Sequence, residues 1–175
     1  KTQYQMSLKI YKKILDHNDS NDRDLFLYAS NLDKIGKWKE ARVLFLELLK
    51  KNPQDTFTLN YVSYKLALKN QELEFALNLI KKALVLDPNN GYFLDTLGWI
   101  QYKRNDFNSA VYFLEKSASI LPRNAEIINH LGDCYFMLNR KKEAVFEWKK
   151  ALKYETDKKI VKKIKEKIRK HEHLL

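Results

Sequence analysis

The sequence predicts an all-α fold, a right-handed superhelical solenoid of helix-turn-helix repeats, on three observations. Ala41, Ala76, Ala110 and Ala144 recur at spacings of 35, 34 and 34, and Pro53, Pro88 and Pro122 keep spacings of 35 and 34. Gly36, Asn70, Asn105 and Asn139 fall between them, and Ala29, Ser63, Gly98 and Gly132 put a small residue at one fixed place in each period. Within a period the apolar residues return at three and four, twice, which is the period of a helix rather than a strand. Gly and Asn accept the left-handed backbone that ends a helix, and a proline cannot continue one. Only 4 Gly and 3 Pro occur in 175 residues, which suits a helical chain.

Residues 91–124 give the pattern most plainly. Leu94, Leu97 and Gly98 form one face of a first helix, and Phe107, Ala110, Leu114 and Ser117 the facing stripe of a second. Asn105-Asp106 breaks the two apart and Pro122 closes the unit.

In chain order, residues 1–21 read as a half repeat, a single second helix over Thr2–Asp16 with Tyr4, Leu8 and Tyr11 left partly uncovered. That half repeat makes the chain read as a fragment, with self-association through the uncovered end. Residues 22–55 form repeat one, with Leu25, Tyr28 and Ala29 facing Trp38, Ala41, Phe45 and Leu48. Leu48 stands where a small residue is usual, so packing there is expected to be looser or shifted. Residues 56–90 form repeat two, one residue longer, with the extra residue placed at Asn70-Gln71 because turns tolerate insertions. Residues 91–124 and 125–156 form repeats three and four; Lys141 and Thr156 are atypical, as terminal repeats are. Residues 157–175 are a capping helix and tail, with Ile160, Val161, Ile164 and Ile168 as the stripe that covers repeat four. Ten helices of about 12 to 15 residues follow.

The motifs resemble the tetratricopeptide repeat family. Leu97-Gly98, and Leu131-Gly132 with Tyr135, match its first helix; Ala110, then Ala144 with Trp148 and Ala151, match its second; Pro53, Pro88 and Pro122 match its close. Asp95-Thr96-Leu97-Gly98-Trp99 and His130-Leu131-Gly132-Asp133 resemble a bacterial version of the repeat. The resemblance implies a non-catalytic protein-protein interaction module, a scaffold or adaptor that takes a peptide or partner protein on the concave side of its first helices. The register puts Asn60, Tyr64, Asp95, Trp99, Tyr102, Asn129 and Asp133 there, centred on the three rings, with the two aspartates making the groove mildly acidic. The competing expectation is that Trp99 is buried between repeats. Some family members grip a C-terminal carboxylate through basic residues and Asn; the matching positions here are Phe26, Ser30, Tyr61, Tyr92 and Thr96, so that clamp is not expected.

Other chemistry finds little footing. No glycine-rich phosphate loop or nucleophile–base set presents itself, so neither an enzyme nor a cofactor is expected. His130, Asp133 and Cys134 could share a helix face around a metal, but no second ligand set accompanies them and no metal is expected. A single Cys excludes an intramolecular disulfide, and no apolar run approaches a membrane span. The net charge of +11 is concentrated: residues 140–170 hold 14 Lys and Arg against five acids. The alternative function is therefore binding of nucleic acid or an acidic surface by the basic C-terminal helix, although a solvated cap accounts for the same charges. The compartment stays open between cytoplasm and export, since an upstream signal would decide it.

Overall fold

The computed structural model describes Lys9 and residues 21–171. Among the described residues there are nine α-helices and no strand. They are α1 (Asp22–Lys34), α2 (Trp38–Lys51), α3 (Thr56–Leu68), α4 (Leu73–Leu86), α5 (Gly91–Lys103), α6 (Phe107–Ile120), α7 (Ala125–Met137), α8 (Lys141–Ala151) and α9 (Lys158–His171). The expected tenth helix, Thr2–Asp16 with its self-association surface, lies outside the described residues apart from Lys9.

Each helix pair closes by one device. The amide of Gly36 donates to Asp33 O and that of Lys37 to Leu32 O. The same two bonds recur at Asn70 and Gln71, at Asn105 and Asp106, and at Asn139 and Arg140. This six-to-one closure needs a left-handed residue, and Gly36, Asn70, Asn105 and Asn139 have φ of 93°, 52°, 63° and 61°. The extra residue of repeat two falls in that turn as expected: four residues separate α3 from α4, where three separate the other pairs. It leaves Glu72 with φ of 46°, a second left-handed residue.

By their internal contacts the described residues form two compact units, one ending at Val62 and one beginning at Ser63. In the first, α1 packs on α2. Ala29, Ala41 and Phe45 are fully buried, and Leu48 is 2% exposed, so the larger residue at that position is well packed rather than loose. Phe26, Phe45 and Tyr61 form a ring cluster with centroids 4.8–5.5 Å apart, and the Tyr61 hydroxyl donates to Asp33 at 3.0 Å.

In the second unit each of α4 to α8 packs on the helix that follows it, and α5 also meets α7. Ala76, Ala110 and Ala144 are fully buried, as are Ile80, Leu114 and, at 2% exposure, Trp148 one turn on. These small residues let the helices cross closely. A Cβ added at Gly98 would lie 2.7 Å from Leu114, and one at Gly132 would lie 2.5 Å from Trp148 Cδ1. α9 buries Ile164 and Ile168 but leaves Ile160 42% exposed. The covered stripe is therefore Ile164 and Ile168, with Val161 only partly buried at its edge, and it is shorter than the spacing suggests.

Candidate functional site

The inner helices of the second unit place most of the expected binding residues together. α5 is buried along nearly its whole length, from Phe93 to Ile100. Its N-terminus is fixed by Asn90, whose side chain accepts from the amides of Tyr92 and Phe93, and Asn124 caps α7 in the same way through Ile127. The two caps are 34 residues apart, so the helices enter the core in equivalent registers.

Trp99 is the centre of a stack. Its ring lies 4.6 Å from Tyr102 at 6° and 4.0 Å from His130 at 16°, with the Lys103 ammonium 4.9 Å from its centroid. Tyr64 approaches His130 from α3 with a centroid distance of 6.2 Å. Trp99 is 7% exposed and its indole N–H is buried without a hydrogen-bond partner. The structure thus puts Trp99 in the packed interior, the competing expectation above, while Tyr64 and Tyr102 are half-buried beside it.

The polar residues of the predicted site are held by the protein itself. Asp95 is 6% exposed and accepts from His130 Nδ1 at 2.9 Å. Burial opposes a charge on the imidazole, but Asp95, with Glu126 and Asp133 further off, outweighs it and holds the His130 pKa above its ordinary value. The Tyr64 hydroxyl donates to Glu126, and burial followed by that carboxylate pushes its pKa upward. Asp133 accepts from Trp148 Nε1 at 2.9 Å and from Lys167 Nζ at 2.7 Å, and the same ammonium donates to Asn129 Oδ1 at 3.0 Å. Asn60 belongs to the first unit, where its side-chain oxygen is buried without a partner.

The register put His130 toward this side but not among the binding residues, and spacing alone did not pick out Glu126 or Lys167 as members of the face. Lys167 follows Asp133 by 34 residues, the repeat period, and that register is the one signal the sequence holds for it. The three residues weighed as a metal set turn to separate partners: His130 to Asp95, Asp133 to Trp148 and Lys167, and the Cys134 thiol to Phe107 O at 3.4 Å. At the clamp positions, Phe26 and Tyr61 pack on Phe45, Thr96 is buried, and Tyr92 is 55% exposed.

The comparisons agree with the fold. Residues 25–55 match the family model for the tetratricopeptide repeat. A TPR repeat-containing protein of Methanocaldococcus jannaschii is 32% identical over 156 residues, which is 87% of this chain and 26% of that protein. A TPR repeat-containing protein of Pseudomonas aeruginosa is 30% identical over 86 residues, 49% of this chain and 14% of that protein. This chain therefore spans about a quarter or less of the curated relatives it matches. Among solved structures, a thermophilic TPR protein of Thermus thermophilus superposes with a TM-score of 0.80 at 20% identity, covering 95% of this chain and 91% of that one. MamA superposes with a TM-score of 0.67 at 20% identity, covering 86% and 88%. At such identities the likeness establishes the fold, an α-solenoid of helix pairs, and nothing of the ligand.

Proposed function

The chain belongs to the tetratricopeptide repeat family, and on that premise we propose that it is a non-catalytic adaptor that takes a peptide segment of a partner protein on the inner face of α3, α5 and α7. Proteins of this fold are interaction modules as a class, built to present an extended surface rather than an enclosed reaction site. The observation that carries the location is the ladder of rings, Tyr64, His130, Trp99 and Tyr102, contributed by three successive inner helices. Rigid aromatic rings supply contact area at small entropic cost, and interfaces concentrate their energy in them.

Within the ladder the roles divide by exposure. Tyr64 and Tyr102 are accessible enough to meet a ligand, and Trp99 forms the floor that keeps them apart. Asp95 and Asp133 leave the face mildly acidic, although His130 and Lys167 neutralise part of it. A neutral or basic segment suits it better than an acidic one.

The test is selection of a displayed peptide library on the full chain, followed by affinities for variants. Tyr102→Ala should weaken the selected peptides by roughly tenfold or more, on the scale of a central aromatic contact, while the chain still unfolds in one cooperative transition above the assay temperature. Peptides that bind Tyr102→Ala and Tyr64→Ala as well as the parent chain would remove the inner face from consideration.

A further inference from the structure

The inner face uses α9 only through Lys167, and the register of the helix suggests a role for its opposite side. α9 repeats α7 at a shift of 34: Ile164 falls at the place of His130 and Ile168 at that of Cys134, and all four are buried. Lys167 falls at the place of Asp133 and reaches back to it. α9 thus stands as the first helix of a further repeat. In α5 and α7 the face around Gly98 and Gly132 receives the second helix of the pair, through Leu114 and Trp148. On α7 that face is Ile128, Leu131, Gly132 and Tyr135, all buried.

Shifted by 34, the same face of α9 is Lys162, Lys165, Glu166 and Arg169, all exposed, and no described helix packs on it. With Lys158 and Val161 these residues line a depression of about 370 Å³. A face that merely solvates an end needs polarity of either sign. This one is strongly positive: Lys158, Lys162, Lys165 and Arg169 make one stripe around the lone carboxylate of Glu166, and none of the four cations forms an ion pair among the described residues. The stripe covers 12 residues, roughly 16 Å of helix from first to last at the usual rise, with neighbours three or four residues apart. That is the spacing of acidic side chains along one face of an opposing helix.

We propose that this face of α9 is a docking seat for an acidic helix of a partner protein, which lies where the second helix of the pair would lie in an inner repeat. Its carboxylates meet the four cations, and a small neutral residue passes over Glu166. This surface is separate from the peptide face of α3, α5 and α7, and the two readings stand or fall independently.

The probe is a helix-stapled peptide carrying Glu at i, i+4, i+7 and i+11 and Ala between, titrated into the full chain at roughly 50 and 200 mM salt. A second peptide has the same composition with the acids spread around the helix, and a single-stranded oligonucleotide serves as a general polyanion. The striped peptide should bind tighter than both. Lys162→Glu with Lys165→Glu should weaken it by about tenfold or more, and Lys159→Glu with Lys163→Glu, on another face, by less than about twofold. If the first pair lowers the melting temperature, Lys162→Gln with Lys165→Gln gives the same reading with less charge change. No binding of the striped peptide, equal binding of the dispersed peptide, equal losses from both pairs, or tighter binding of the oligonucleotide would each overturn the seat.

Discussion

Replacing Trp99 separates its packing role from any contact with a ligand. The ring is 7% exposed and lies between Tyr102 and His130. A buried Trp brings roughly 150–250 Å² out of water, which at about 25 cal/mol/Å² is on the order of 4–6 kcal/mol, and each aromatic contact adds about 0.5–1.5 kcal/mol. Against this, the indole N–H is buried with no partner, a cost of about 1–3 kcal/mol already present in the native state. Trp99→Ala should therefore destabilise the fold by roughly 3–5 kcal/mol, within the range for large-to-small core changes. Trp99→Phe keeps a ring in the stack and removes the unsatisfied N–H, so it should cost less than about 1.5 kcal/mol. Urea denaturation followed by far-ultraviolet circular dichroism reads both. A loss below about 1 kcal/mol for the alanine variant, or equal losses for the two, would refute the sandwich and its unpaired N–H. Because the alanine variant perturbs the core, loss of ligand binding in it cannot be credited to the groove; Tyr102→Ala carries that test.

Gly132→Ala should cost more than Gly98→Ala, by about 1–3 kcal/mol in thermal or urea unfolding, because its Cβ meets the rigid Trp148 indole while that of Gly98 meets a movable Leu114. Equal losses would mean that α7 and α8 can separate cheaply. His130 is held above its ordinary pKa by Asp95, with Glu126, Asp133 and Tyr64 also facing it. A raised folded pKa gives stability that is complete below the unfolded value near 6.5 and is lost as pH rises through the folded one, so stability should decline from near pH 6.5 upward until the folded value is passed. Asp95→Asn should flatten the decline, and a profile unchanged by that variant would contradict the pairing. Cys134 is fully buried and its thiol is pushed up to about 12 by burial, then by Asp133 and Glu115. A thiol reagent near neutral pH should modify it only as the chain unfolds, whereas prompt modification of the native protein would place it at the surface.

Much of this architecture is legible in the sequence because the repeat constrains one residue type for one physical reason at each period. Asn70, Asn105 and Asn139 stand where a left-handed residue closes a helix, and Ala76, Ala110 and Ala144 stand where two backbones cross. The inserted residue could be placed for the same reason, since only a turn absorbs it without shifting a packed face. The inner face was legible as a surface but not as a set of contacts. Tyr64 and Glu126 are 62 residues apart and on helices two repeats removed, so no local spacing connects them. Whether Trp99 faces out or in depended on His130 closing over it, and that follows from how tightly α7 approaches α5. Ile160 misled because a four-residue stripe continues on paper past the point where α8 can cover it.

The most direct test of the adaptor reading is amide hydrogen exchange of the full chain with and without a peptide selected on it. The peptide should slow exchange on α5 and α7, around Tyr102 and His130, and leave α6 and α8 as they were. Protection confined to α6 and α8, or to none of the inner helices, would contradict it.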